Sequence, residues 1–330
     1  MAEAVRSVAE LLALLDLPAD AVDAADDHAG FPLRVPRSYV ARMRRGDARD
    51  PLLRQVLPAA AEWLPTAGFG IDPVGEAAAR RAPGLLQKYA GRALLITTEA
   101  CAIHCRYCFR RDYPYAEQVD PAGRWQQAID TLATDHRIEE LILSGGDPWS
   151  LSNARLEELV GQLRVLPHLR RLRIHTRQPI VLPARVDAGL ADWLNRLPWP
   201  TIVVVHANHP AEIDAAVDAA LRRIRATGAT LLNQSVLLAG VNDDVDTLAN
   251  LSERLFAAGA LPYYLHLLDR VRGAAHFEVA EERALPLLAA LATRLPGYLV
   301  PKLVRESAGE PAKRAVAAGW PGPARSPAPA

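Results

Sequence analysis

The sequence predicts an α/β fold: a partial (β/α)6 barrel with an N-terminal helical layer and a C-terminal segment. Two observations carry that prediction. From Ala93 onward, six short apolar runs alternate with longer amphipathic stretches, the pattern of βα units around a parallel sheet. Polar or glycine-rich residues follow the runs directly, which places candidate chemistry at strand C-terminal ends, where parallel barrels gather it.

The expected strands are 93–97, 140–143, 171–175, 201–206, 231–237 and 262–267. Helical stretches lie between them. The one over 211–227 has Pro210 suited to its first turn and Gly228 suited to its stop. Residues 1–92 read as the N-terminal helical extension, with helical patterns at 8–15 and 52–57, and 93–270 as the barrel core. Residues 271–318 read as the C-terminal segment, helical over 285–295 and extended over 298–304. Residues 319–330, rich in Pro, Ala and Gly, read as a disordered tail.

With 330 residues and half of them apolar, the chain can build a sizeable core. Lys plus Arg equals Asp plus Glu at 38 each, so the balance favours neither nucleic acid nor an anionic membrane. A small polar substrate fits better. No apolar run reaches the ~18 residues of a membrane span, and the first residues lack the order of a signal peptide. The expected location is the cytoplasm, whose reducing conditions suit free thiols.

All three cysteines fall in Cys101-Ala102-Ile103-His104-Cys105-Arg106-Tyr107-Cys108. Such a run supplies three thiolates, the soft ligands that iron-sulfur clusters and zinc prefer. A structural zinc closes its shell with four ligands, whereas three thiolates on a 4Fe-4S cluster leave one iron open. In the zinc alternative His104 is the fourth ligand, strained by its place beside Cys105, or another His completes the shell. Three buried structural thiols are the other alternative, against which their crowding argues. Further along, the Ser144-Gly145-Gly146-Asp147 turn follows the second strand, and glycine tolerates the dihedrals of a close approach to a ligand. A plain βα turn with Asp147 near a helix start is compatible with the same residues. His175, Thr176 and Arg177 close the third strand, and Asp243 follows the fifth, where a cap or turn carboxylate is the commoner fate.

The cysteine run resembles the signature of radical S-adenosylmethionine (SAM) enzymes. Over roughly residues 50–315 the chain resembles the lysine 2,3-aminomutases, most closely the shorter bacterial form that makes β-lysine for elongation factor P. The resemblance is carried by Asp72-Pro73-Val74-Gly75, Lys88-Tyr89, Thr97-Thr98-Glu99-Ala100-Cys101, Arg110-Arg111, Ser144-Gly145-Gly146-Asp147-Pro148, Asn233-Gln234-Ser235-Val236-Leu237-Leu238 and Gly240-Val241-Asn242-Asp243.

The resemblance implies a radical SAM barrel and an isomerase that shifts nitrogen from the α to the β carbon of L-lysine. It implies Cys101, Cys105 and Cys108 as ligands of a 4Fe-4S cluster, and Ser144, Gly145, Gly146, Asp147, His175 and Arg177 around SAM. It implies Lys313 as the lysine that forms an imine with pyridoxal 5'-phosphate, whose phosphate meets Lys88, Tyr89 and Arg92. Arg110 would grip the substrate carboxylate, and Asp243 and Glu306 the ε-ammonium. Three departures stand out. Only Gly309 remains of the family's glycine run before the lysine, Lys88 stands where Arg is common and loses bidentate pairing, and Glu306 is longer than the usual Asp. No cysteine follows Lys313, so no structural zinc and no zinc-supported tetramer are expected. The implied partners are L-lysine, an external electron donor, and elongation factor P with its ligase similar to lysyl-tRNA synthetase; neither nucleic acid nor membrane is implied. The alternatives are a free-standing lysine 2,3-aminomutase of lysine catabolism or osmolyte synthesis and, in another class, a non-catalytic iron-sulfur or zinc-binding regulator.

Overall fold

The structure, a computed structural model, describes residues 4–23, 31–118 and 125–317, so the tail at 319–330 lies outside the described residues. Its strands in chain order are β1 (Ala4–Val5), β2 (Val35–Pro36), β3 (Arg80–Ala82), β4 (Leu85–Leu86), β5 (Arg92–Ile96), β6 (Glu140–Ser144), β7 (Arg171–Thr176), β8 (Thr201–Val205), β9 (Thr230–Val236), β10 (Leu261–His266), β11 (Lys302–Arg305) and β12 (Arg314–Ala315). The first two pair with each other, and the other ten form one sheet in unbroken sequential order from β3 to β12. From β5 to β11 every neighbour runs parallel. A sheet wound one way and left open, with helices on its outside, is a partial barrel.

The six expected strands are all present, displaced by a residue or so. Their runs are legible because β6 is buried at every position, the condition of a parallel strand covered on both faces. Outside the sheet, the helices Asn153–Leu163, Ala188–Asn195, Ala215–Ala226 and Val245–Ala257 start at Ser152, Asp187, Asp214 and Asp244. Each cap side chain accepts a backbone N–H from the first turn. The capping by Asp214 also explains why the helix expected from 211 begins at Ala215. Pro210–Glu212 forms a separate 3-10 turn that folds Glu212 back onto the N–H groups of Asn208 and His209.

Two expectations need correction. Residues 1–92 are not simply a helical layer: the expected helices at Val8–Leu14 and Pro51–Arg54 are present, with Arg37–Val40 between them, but β1 precedes the first and pairs with β2, which precedes Arg37. The β3–β4 hairpin belongs to the main sheet and pairs antiparallel with β5, so a boundary at 92 would cut through the sheet. Gly84 turns that hairpin at φ +72°, and the extended segment near 298–304 supplies β11, a seventh parallel strand.

Candidate active site

A cavity of about 380 Å³ is walled by the C-terminal ends of β5 to β11 and the loops that follow them. The three cysteines line it, as do Ser144, Gly145, Gly146, Asp147, His175, Arg177, Lys88, Tyr89, Arg92, Arg110, Glu306 and Lys313. Asp243 does not.

The cysteine loop after β5 is pinned by its own non-cysteine residues. Arg106 is fully buried and pairs with the equally buried Glu62 through Nε at 2.7 Å and Nη2 at 2.5 Å. Arg111 reaches the same carboxylate at 2.8 Å. Tyr107 donates to Gln55 at 3.3 Å and accepts from Asn208 at 2.6 Å, while the Arg106 N–H bonds the Gln55 carbonyl. The N-terminal residues, for which sequence offers no chemistry, are therefore the clamp on the thiol loop. His104 stacks on Phe31 and its Nδ1 lies 2.7 Å from the Pro32 carbonyl, away from the cavity wall. Among the described residues, no three His, Cys, Asp or Glu side chains converge as the ligands of one metal ion must.

The turn after β6 approaches the chain's own backbone closely. A Cβ on Gly145 would sit 2.5 Å from the Thr98 carbonyl oxygen, and one on Gly146 would sit 2.5 Å from that of Ala100. The N–H groups of Gly146 and Asp147 bond those carbonyls at 2.7 and 2.8 Å. The two glycines thus anchor the start of the cysteine loop. Gly146→Ala is expected to destabilise the protein by about 1–3 kcal/mol, the usual cost of overpacking; an unchanged denaturation midpoint would contradict this contact.

Asp147 accepts from the Thr176 hydroxyl at 2.7 Å and from the N–H groups of Trp149, Arg177 and Gln178. Burial pushes its carboxyl up to about 6 against those four hydrogen bonds. Its observed contacts are those of a cap joining two loops, the plain-turn alternative. His175, His206 and His266 contribute Nε2 atoms that are buried without a partner, and burial, helped by Arg177, holds His206 down at about 3. Orphaned polar atoms in a cavity wall mark where a polar ligand belongs.

A second group of charges lines the same cavity. Glu306 accepts from Lys88 and from Lys313, each at 2.7 Å. Burial alone would raise its carboxyl, but the ammonium groups of Lys313 and Lys88 hold it at about 2. Arg92 stacks over Tyr89 at 4.6 Å, and the Lys313 ammonium lies 5.8 Å from the Tyr264 ring centre. Asp269, the third residue past β10, also lines the cavity, with Oδ1 buried and unpartnered. Burial pushes this carboxyl up to about 7, with the charge of Glu306 adding to the effect and Lys313 opposing it.

Arg110 reaches the cavity with its fork already engaged. Nε and Nη2 bond Glu76 at 2.8 and 2.6 Å, and Nη1 bonds Ser144 at 2.9 Å. A substrate carboxylate would meet only the leftover N–H groups, or displace Glu76. Asp243 needs a plain correction. Its Oδ1 accepts from the Gly240 N–H at 2.8 Å and its Oδ2 pairs with Arg283 at 2.7 Å, so it is a turn carboxylate outside the cavity. Its neighbour Asn242 is scaffolding too, bonding Leu238, Asn208 and Val236. Sequence reasoning passed over Asp269, Glu76, Gln55 and Glu62. Only Asp269 carried a usable signal, being the first carboxylate after the sixth barrel strand.

An open parallel barrel that gathers three thiols, two ammonium groups and buried carboxylates in one cavity at its strand ends is an enzyme. A model of the 4Fe-4S single cluster domain matches residues 90–169, which include the cysteine loop. L-lysine 2,3-aminomutase of Escherichia coli strain K12 is 47% identical over 315 residues, covering 95% of this chain and 92% of that protein. L-lysine 2,3-aminomutase of Haemophilus influenzae is 45% identical, covering 92% and 90%. A crystal structure of Streptococcus suis SuiB bound to S-adenosylmethionine aligns with 67% of this chain and 51% of that one, with a TM-score of 0.48 and 11% identity, too loose a likeness to bear on the site. The chain belongs to the L-lysine 2,3-aminomutase family, and it is an isomerase.

Proposed function

We propose that the enzyme moves the α-amino group of L-lysine to the β carbon, using a 4Fe-4S cluster with SAM and pyridoxal 5'-phosphate. One observation carries this reading: a single cavity holds the thiol loop, the Lys88–Glu306–Lys313 chain and the unpartnered carboxylate of Asp269. The residues fit each group. Three thiolates are soft ligands that leave one iron open, and the orphaned Nε2 atoms of the cavity histidines suit a polar ligand such as SAM. Lys88, Tyr89 and Arg92 offer cations and a hydroxyl to a phosphate, with the Lys313 amine in the same wall.

When bound, the cluster and SAM supply a carbon radical that takes hydrogen from the substrate, and pyridoxal phosphate supplies the aldehyde that carries the nitrogen. The chain's own part is to bind, orient and keep water away. Lys313 would be the residue that joins the cofactor's aldehyde, and Glu306, which it holds at 2.7 Å, lies beside it. Glu306 and Asp269, in the same cavity wall, would meet the ε-ammonium of the incoming lysine. Arg110 meets the carboxylate through the N–H groups that Glu76 and Ser144 leave over.

Asp269→Asn is expected to raise KM for lysine roughly tenfold to a hundredfold, the loss of about 1.5–3 kcal/mol from a charged hydrogen bond, with KM for SAM unmoved. Asp243→Asn should leave KM for lysine unmoved, and an effect as large as that of Asp269→Asn would return Asp243 to the site. The same carboxyl sets a pH dependence. Because it is raised to about 7, it is protonated and uncharged below that pH, so lysine binding to the wild type weakens as pH falls through it. Asp269→Asn should flatten that profile.

The destination proposed for β-lysine is elongation factor P, through a ligase similar to lysyl-tRNA synthetase, and the proposed location is the cytoplasm. Support for this destination is the motif order shared with the shorter bacterial form. Among the described residues no helix is long and apolar enough to cross a membrane. Elongation factor P from a strain lacking this gene should lose the mass of β-lysine; a factor still carrying it would favour the free-standing alternative.

A further inference from the structure

Arg177, which the resemblance places near SAM, lines the cavity and also touches the thiol loop. Its guanidinium is buried and Nη1 donates to Cys105 Sγ at 2.6 Å. The other arm, Nη2, is held at 2.7 Å by Gln55 Oε1, at 3.0 Å by Glu212 Oε2 and at 3.4 Å by the Tyr39 hydroxyl. The rings of Tyr39 and Tyr107 lie 5.7 and 5.6 Å from its central carbon. Glu212 is completely buried and fixed in turn by Gln55 Nε2 and by two backbone N–H groups, those of Asn208 and His209. The result is a cation with little freedom, supported from β8's loop and from the N-terminal residues, touching one cysteine sulfur of the three.

On the reading that these cysteines hold a 4Fe-4S cluster, we infer that Arg177 is a positioning residue that raises the cluster's reduction potential through Cys105. The step it acts on is the entry of one electron from an external one-electron donor: the cluster is reduced, the donor is oxidised, and no bond or proton moves. Adding an electron makes the cluster and its thiolates more negative. A fixed cation bonded to one of those sulfurs stabilises the reduced form more than the oxidised one, and hydrogen bonds to sulfur and local charge are the known levers on such potentials. Glu212 moderates the effect, because its buried negative charge offsets part of the guanidinium's.

The test is a redox titration of the full-length protein, reconstituted anaerobically with iron and sulfide and reduced by dithionite against mediator dyes. The reduced cluster is read by electron paramagnetic resonance. Arg177→Gln is expected to lower the equilibrium constant for reduction at least tenfold, about 59 mV for one electron, and Arg177→Lys to recover part of that shift. Glu212→Gln, which removes the offsetting charge, should move the midpoint upward. An unchanged midpoint in an Arg177→Gln protein with a full complement of iron and sulfide overturns the inference. If Arg177→Gln takes up no cluster, Glu212→Gln decides: a rise supports it, and a fall or no shift overturns it. A wild-type chain that takes up no iron refutes the cluster reading itself, a failure visible in the metal analysis before any titration.

Discussion

Replacing any one of Cys101, Cys105 or Cys108 by Ala is expected to abolish reductive cleavage of SAM, a loss of at least about 10⁶-fold set by the rate enhancements enzymes supply. The three thiols come from one loop, and no other cysteine exists to substitute. The loop itself should survive. Its shape is fixed by Arg106 on Glu62, by Tyr107 between Gln55 and Asn208, and by the backbone bonds of Gly146 and Asp147. Each variant should therefore fold, with a denaturation midpoint near the wild type's, while failing to hold a complete cluster. Quantifying 5'-deoxyadenosine under anaerobic reducing conditions checks the prediction. Full cleavage with one cysteine missing would leave the cluster assignment without support.

Lys313→Ala is expected to lose the covalent link to pyridoxal phosphate and to cut turnover by at least about 10³-fold, the scale of a lost positioned catalytic group. Lys313→Arg is the informative companion. It keeps a cation against Glu306, which the lysine now holds at 2.7 Å, yet it cannot form the imine. Both variants should retain iron and SAM cleavage. Reduction with borohydride, followed by digestion and mass analysis, should place the label on Lys313 in the wild type and nowhere in either variant. A label trapped on the chain in Lys313→Arg points to Lys88, the other ammonium on Glu306.

Much of this was legible in the sequence, for physical reasons that also mark where it stopped. The barrel strands are apolar runs such as Leu141-Ile142-Leu143 and Val203-Val204-Val205, buried between layers and bounded by turn residues, so periodicity and punctuation agreed. The first ninety residues were legible only in part: the patterns at 8–15 and 52–57 meet the helices Val8–Leu14 and Pro51–Arg54, but strands of two or three residues are shorter than any period that could reveal them. The cysteines declare themselves by spacing alone. Lys313 needed the family resemblance, and the structure sets it in the cavity with its amine on Glu306.

Asp243 shows how a motif misleads. Gly240, Asn242 and Asp243 stand together for the sake of the rim loop: Gly240 at φ +70° packs against Arg54, Asn242 staples three backbone groups, and Asp243 closes the turn. Asp269 carries no motif and differs only in being left without a partner inside the cavity. Such a difference lies in tertiary contacts. The same holds for Glu76, whose role is visible only once Arg110 is seen to spend its fork on it.

The central claim is the reaction. Anaerobic incubation of the reconstituted protein with L-lysine, SAM, pyridoxal phosphate and dithionite, followed by chiral mass-spectrometric analysis, tests it most directly. The expected result is β-lysine of one configuration, formed over many turnovers and absent when SAM is withheld. Unchanged L-lysine from a preparation carrying a full cluster and bound pyridoxal phosphate would contradict the account.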